Sequence, residues 1–374
     1  MERIDGEKID YILIGLIIVL VGTGMALLFS ASYYHSEKLG KGPLYLFNKQ
    51  LFFLGIGSLF LILLSRIKTE HLQKIVPLVL LIGLVLLFLP FVPGLGKEIN
   101  GAKRWIIVFG YSFQPSEFAK LALVLYLAYI LQKKEDRLAE PLRSLLPPLV
   151  IVFFFAVIIF FQNDLSTSLF VILLALLMFF IAKVPFLYFL YFGSLFIPLA
   201  GLLMLTKNYW VEKIITYFDP SRDPYHYGFQ IRHSRLAFMM GGLWGRGLGM
   251  GSQKLGFLPE ADSDYIFAVV GEELGFIGIL AVVALFGLFA WRAYAIAFKA
   301  QDNFSYFLGF GLTTLIFFQA LLNMLVTAGL IPATGMPLPF FSLGGSALVV
   351  NMACCGIIIS LSRKKKAQGE LWYG

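Results

Sequence analysis

The sequence is short of most things a soluble enzyme displays. Charged residues fill 14% of its 374 positions, against about 25% in soluble domains, so a mainly water-exposed globular surface is excluded. The two cysteines, Cys354 and Cys355, are adjacent in an apolar run; such a pair makes no disulfide framework, and no Cys/His spacing suggests zinc. The histidines, His35, His71, His226 and His233, are scattered, so a metal cluster is not indicated. Glycines are dense, but none match a Walker or Rossmann spacing in a strand-to-helix context, which argues against nucleotide binding. Low-complexity tracts are absent. There is no persuasive internal repeat either, which weakens any case for a transporter built from inverted repeats.

Hydrophobic residues make up 59% of the chain. The fold class that follows is an all-α polytopic membrane protein. About ten transmembrane helices are expected, near 10–31, 46–65, 73–92, 115–132, 145–161, 167–182, 185–206, 264–294, 305–330 and 341–361. Most are runs of about 18 or more apolar residues. The first is too long for a signal-peptide core and reads as a retained helix. A single integral membrane domain, 1–374, is expected, with a long extracytoplasmic loop, 207–263, between helices 7 and 8.

The net charge of +8 reads as the positive-inside rule, with no nucleic acid as partner. With the N-terminus in the cytoplasm, inner segments hold 16 Lys and Arg and the short outer loops hold 5. Both termini then face the cytoplasm, and Arg363 to Lys366 anchor the C-terminus on anionic lipid. Polar chemistry concentrates on the opposite, outer face.

Five constellations lie there. In Asn100–Trp105 and Gln114–Lys120, Pro115 suits a helix first turn, with Ser116 or Gln114 as a cap. Glu117 and Lys120 share a helix face and can pair; Lys103, Arg104 and Lys120 are also candidates for an anionic headgroup. Asp164, in the tight Gln162–Thr167 hairpin, either caps the next helix or serves a site. The long loop carries Arg232, Arg235 and Arg246 among turn-forming glycines and prolines; these cations are solvated or attract phosphate. In Lys254–Gly278, Pro259 and Glu260 form a turn, and Asp262 or Ser263 can cap the eighth span. Asp264 then falls in its first turn, as a capping acid favoured by the helix dipole or as a general base whose pKa Asp262 and desolvation raise. Glu272 and Glu273 lie two turns deeper, and at least one must face the bundle interior. Last, three prolines in Pro332–Pro339 forbid a straight helix before Ser342.

Taken together, these motifs resemble the SEDS family of bacterial cell-wall proteins, which includes FtsW, RodA and SpoVE. The stretches that carry the resemblance are N-G-A-K-R-W, Q-P-S-E-F-A-K, Q-N-D-L-S-T, the Asp219–Gln230 run, G-L-W-G-R-G-L-G, Q-K-L-G-F-L-P-E-A-D-S-D-Y-I-F and P-L-P-F-F-S-L-G-G-S. They cover nearly the whole chain. The spellings S-F-Q-P-S-E, E-E-L-G-F-I-G and G-L-I-P-A-T-G-M-P-L-P-F-F-S lean toward the FtsW branch.

The resemblance implies a peptidoglycan glycosyltransferase that polymerises lipid II at the outer face of the cytoplasmic (inner) membrane. The family's essential acid falls on Asp264, as general base on the acceptor 4-hydroxyl. Inversion at the donor anomeric carbon and an undecaprenyl pyrophosphate leaving group are implied with it. Lys103, Arg104, Glu117, Lys120, Asp164, Glu260 and Ser342 lie in motifs of the substrate cavity. A divalent cation, Mg or Mn, is compatible, with no metal ligand set in the sequence. The implied partners are a class B penicillin-binding protein (transpeptidase) and other divisome or elongasome membrane proteins. The competing functions are a RodA-like elongation polymerase, a lipid II flippase and a catalytically silent scaffold. The chain departs from the family spelling at Asp262 and Ser263, where His and Thr are usual, and at Asn163, Ser166, His233 and Leu343.

Overall fold

The structure is a computed structural model. It describes residues 9–99, 102–108, 110–134, 141–191, 193–194, 201 and 208–363. Its helices are α1 Tyr11–Lys38, α2 Tyr45–Leu64, α3 Thr69–Phe88, α4 Pro115–Lys133, α5 Pro141–Phe161, α6 Leu165–Ile181, α7 Asn208–Phe218, α8 Tyr227–Gly241, α9 Ile266–Phe298, α10 Asn303–Thr327 and α11 Gly345–Ser362. They form a multi-pass helical membrane bundle.

Among the described residues, six helices are long and apolar enough to cross a membrane: α1, α2, α3 with its 3-10 extension to Phe91, α9, α10 and α11. This corrects the expectation of ten. The shortfall has local causes. Helix α4 has 19 residues but carries Glu117, Lys120 and Lys133, which lower its hydropathy. Leu165–Ile181 in α6 is apolar but shorter, and of α5 only Leu145–Phe161 is described with its side chains. The expected span at 185–206 lies largely outside the described residues, as do Asn100, Gly101 and Lys364 onward.

Helix α4 is the centre of the bundle. It is buried around most of its circumference, from Pro115 to Leu131, and packs against α3 and α10. Helix α11 rests on α2, and α1 on α9. The outer sides of α2 and α3 expose apolar side chains such as Phe52, Leu59, Leu78 and Leu81, which is what lipid contact requires. Cys354 and Cys355 are free and buried in α11.

Between α3 and α4 the chain forms a small antiparallel sheet that periodicity did not suggest. Strands β1 Gly96–Ile99, β2 Ala102–Val108 and β3 Tyr111–Phe113 run in the order β1-β2-β3. Its strands have only three to seven residues, too few to stand out as a two-residue alternation among the long apolar runs. The sheet delivers Arg104 toward the bundle, and Pro115 starts α4 directly after it.

Candidate active site

Asp264 lies one residue before the N-cap of α9, outside the helix. The helix begins at Ile266, and no side chain caps it. The capping reading of this acid therefore fails, and so does that of Asp262, whose carboxylate instead meets His35 Nδ1 at 2.8 Å. The segment carrying Asp264 is pinned through its backbone. Asn323 Nδ2 on α10 donates to the carbonyl of Asp264 and to that of Met336, both at 2.8 Å. Ser342 Oγ donates to the Ser263 carbonyl at 2.5 Å and accepts from Leu338 N at 2.8 Å. Leu343 N donates to the Asp262 carbonyl at 2.8 Å. On the other side Glu260 takes a left-handed backbone, φ 55°. That bend lets its carbonyl accept from Ser263 N at 3.1 Å and Tyr265 N at 3.0 Å, and its carboxylate accept from Ser263 Oγ at 2.7 Å.

The Asp264 side chain is treated differently from its backbone. Among the described residues its carboxylate accepts no hydrogen bond, and it keeps part of its surface open. Gly335, φ 70°, runs past it; a Cβ there would sit 3.4 Å from Asp264 Oδ2. Desolvation, and then the Glu260 charge, push the Asp264 pKa up to about 6, with Asp164 acting the same way. Arg104 and Lys213 oppose the shift. A desolvated carboxylate with a raised pKa near cationic side chains marks a candidate functional group.

Arg104 and Lys103 are neighbours on β2, so they point to opposite faces. Arg104 turns inward and places Nη1 3.4 Å from Asp164 Oδ2. Lys103 is exposed and pairs with Glu98 at 3.9 Å; among the described residues no contact joins it to the Asp264 group. Asp164 performs two tasks at once. It caps α6 by accepting from Thr167 N at 3.1 Å, and it accepts from Gln114 Nε2 at 3.4 Å while holding Arg104. Gln114 is the N-cap residue of α4, but its amide serves Asp164 and not the helix end.

Glu117 and Lys120 form the expected i,i+3 pair at 2.9 Å, with both side chains all but fully buried. Lys120 Nζ also donates to Gln319 Oε1 at 2.6 Å, and Gln319 Nε2 donates to the Pro337 carbonyl at 3.0 Å. Gln319 and Asn323 are four residues apart on one face of α10. Together they clamp the proline-rich segment 332–344, whose irregular backbone needs partners at this depth. The buried charges of α4 are thus wired to the segment that lines Asp264.

The structure groups Asp264, Glu260, Arg104 and Asp164, attaches Ser342 through its backbone contacts and Glu117–Lys120 through Gln319, and leaves Lys103 outside. Reading the sequence missed Lys213, Gln319, Asn323 and Gly335. Gln319 and Asn323 carried a signal: two amides at helical spacing in an apolar run need partners. Lys213, on α7, lies over the rings of Trp210 and Tyr227 at 5.1 and 4.8 Å, and nothing local in the sequence pointed it at Asp264. Among the described residues there is no group of three or more His, Cys, Asp or Glu that could hold a metal ion. A cleft of about 650 Å³ opens away from the Asp264 group, between Lys41, Tyr45, Lys49, Phe52 and Tyr111.

A family model described as "Cell cycle protein", for FtsW, RodA and SpoVE, matches residues 11–367. The chain belongs to the FtsW/RodA/SpoVE family. A probable peptidoglycan glycosyltransferase FtsW of Geobacter metallireducens is 38% identical over 360 residues, covering 96% of this chain and 96% of its own. Stage V sporulation protein E of Bacillus subtilis is 36% identical over 356 residues, covering 95% of this chain and 97% of its own. A chain in a structure described as "Structural coordination of polymerization and crosslinking by a peptidoglycan synthase complex" is 28% identical, with TM-score 0.78, and covers 95% of this chain and 98% of that one. As a member of the FtsW/RodA/SpoVE family, this chain shares its bundle with that solved chain over nearly its full length.

Proposed function

We propose that Asp264 is the general base of a peptidoglycan glycosyltransferase of the FtsW type, which polymerises lipid II for cell division. The glycosyltransferase activity accords with the names of the full-length relatives. The observation that carries the residue assignment is the contrast at Asp264: its backbone is pinned by Asn323 and its carboxylate is left without a hydrogen bond.

The chemistry then balances as follows. The Asp264 carboxylate takes the proton of the acceptor 4-hydroxyl. The freed oxygen attacks the donor anomeric carbon from the face opposite the leaving group, so configuration inverts. The bond from that carbon to the pyrophosphate oxygen breaks, and undecaprenyl pyrophosphate leaves with the electron pair. Arg104 and Lys213 supply positive charge for that leaving group, which is worth most in a water-poor site. Asp164 aims the Arg104 guanidinium. Glu260 raises the basicity of Asp264, and Ser342 holds the segment beneath it. Glu117 and Lys120 act through Gln319 and the proline-rich segment.

Asp164 is already engaged by Arg104, Gln114 and Thr167, and Glu260 by Ser263. A Mg or Mn ion therefore fits best as a companion of the substrate pyrophosphate, whose charge it would offset. The chain crosses the inner membrane as one unit, both termini face the cytoplasm, and the loop 207–263 lies on the outer side. A class B penicillin-binding protein is the transpeptidase partner, in line with the synthase complex described for the similar structure.

The test is polymerisation of lipid II by the purified protein with its transpeptidase partner, wild type against Asp264→Ala, with Mg, Mn or chelator. A parallel scramblase assay with fluorescent lipid II separates polymerisation from flipping. Glycan strands made at full rate by Asp264→Ala contradict the assignment.

A further inference from the structure

The glycine-rich stretch that follows α8 has its polarity turned inside out. Ser252, Gln253 and Lys254 point inward, whereas Leu243, Trp244, Leu248 and Met250 point outward, with Trp244 81% exposed. From Met239 to Phe257 the one exposed charged side chain is Arg246, and it is paired with Glu272 at 3.4 Å. A loop bathed in water has the opposite sorting.

Its backbone is closed off as well. Glu272 and Glu273 are both fully buried, and the loop is what satisfies them. Glu272 accepts from Ser252 N at 2.7 Å, Ser252 Oγ at 2.8 Å and Gln253 N at 3.1 Å. Glu273 accepts from Gly249 N at 3.1 Å and pairs with Lys254. Arg246 N and Gly247 N donate to the carbonyls of Glu272 and Glu273, each at 3.0 Å. This is possible because α9 breaks at Gly275, φ 67° and ψ −165°. A Cβ there would lie 2.3 Å from Gly245 N, so the loop backbone enters the gap that the missing side chain leaves. In water such groups need no protein partner. Irregular backbone at hydrocarbon depth does.

The height agrees. Asp10 and Arg292 pair at 2.7 Å at one end of the bundle. From Asp10 to Ser30, which donates to Glu273 at 2.8 Å, α1 climbs about 30 Å. From Arg292 to Phe276, α9 climbs about 24 Å. Both routes put the loop at the far edge of a hydrocarbon core about 30 Å thick. Below the break, α9 exposes Phe276, Ile277 and Leu280, so the apolar surface of the loop is continuous with that of a spanning helix.

We propose that residues 239–257 form a hook embedded in the outer leaflet, with lipid acyl chains as its occupant. Glu272 and Glu273 are the internal anchors that let a glycine-rich backbone lie there. Trp244 and Arg246 mark the headgroup level, as interfacial Trp and Arg do.

The experiment uses the full chain with Cys354→Ala and Cys355→Ala, reconstituted in nanodiscs of phosphatidylethanolamine and phosphatidylglycerol. A spin label is attached after Leu248→Cys, after Met250→Cys as an independent second position, or after Ser221→Cys in the exposed polar turn. Collision with oxygen, which partitions into lipid, is compared with collision with a water-soluble nickel chelate. The hook predicts oxygen exceeding nickel several-fold at 248 and 250, with the reverse at 221. Nickel exceeding oxygen at both 248 and 250 overturns it. Shielding from both reagents at those two positions also overturns it, because the loop is then packed against protein.

Discussion

His35 Nδ1 on α1 lies 2.8 Å from Asp262 Oδ2, two residues before Asp264. The Asp262 side chain is almost fully buried and His35 is about half exposed. This contact ties the outer end of α1 to the segment that carries the candidate base. It also explains how an acid is tolerated where the family spelling has histidine: the charge has a partner on a neighbouring helix. His35→Ala leaves Asp262 unpaired and is expected to lower stability by about 1 kcal/mol, reduced from a fully buried pair by the exposure of the imidazole. The exchange His35→Asp with Asp262→His should recover most of that loss. Thermal unfolding in detergent of the two single variants and the double exchange checks it.

The Arg104–Asp164 pair separates two roles. Arg104→Ala should lower kcat by about 10²-fold, within the range seen when an electrostatic donor is removed, with a smaller loss of unfolding temperature than Asp164→Ala, because Gln114 and Thr167 still serve the Asp164 carboxylate. Asp164→Ala should lower activity too, but it also removes the α6 cap and costs about 1 kcal/mol of stability. Steady-state polymerisation and unfolding, measured on both variants, distinguish them. Lys103→Ala, lying outside the group, should leave kcat nearly unchanged.

Glu117 and Lys120 are each expected to be worse to lose alone than together. Either single change to Ala leaves a charge buried without its partner, at about 3–5 kcal/mol. Glu117→Leu with Lys120→Met removes both charges and should lie closer to wild type in unfolding temperature. If the double variant is as unstable as the sum of the singles, the pair has no such coupling.

Asn323→Leu probes the clamp without touching the carboxylate. It removes the donor to two carbonyls, those of Asp264 and Met336. The expected result is a fall in kcat of about 10-fold, in keeping with the sensitivity of catalysis to small misplacements, with KM held. A rise in KM alone would place Asn323 in substrate binding and not in positioning.

Much of this was legible in the residues, and the reasons are uneven. The helical membrane bundle follows from long apolar runs, and the Glu117–Lys120 pair from i,i+3 spacing. The break before Ser342 follows from its prolines, and the irregular segment is indeed non-helical there. The Asp164 cap was also readable, but its second contact, to Arg104, crosses sixty residues and leaves no local pattern. The same holds for His35 with Asp262, and for Lys213 near Asp264. The small sheet was hidden because its strands have three to seven residues. The span count went astray where charge lowers the hydropathy of α4 and where an apolar helix is short, as α6 is at 17 residues. Glu272 and Glu273 were expected to require at least one interior face; both turn inward, because the loop folds back to meet them.

The pH dependence of the rate is the most direct test of Asp264 as the base. Its pKa is raised to about 6, and only the ionised form accepts a proton. The wild-type polymerisation rate should therefore be full above about pH 7 and fall as pH drops through about 6. Asp264→Asn should be slower by about 10²- to 10⁴-fold, and its residual rate should lack that acid limb. An Asp264→Asn variant that keeps both the wild-type rate and the same acid limb would contradict the assignment.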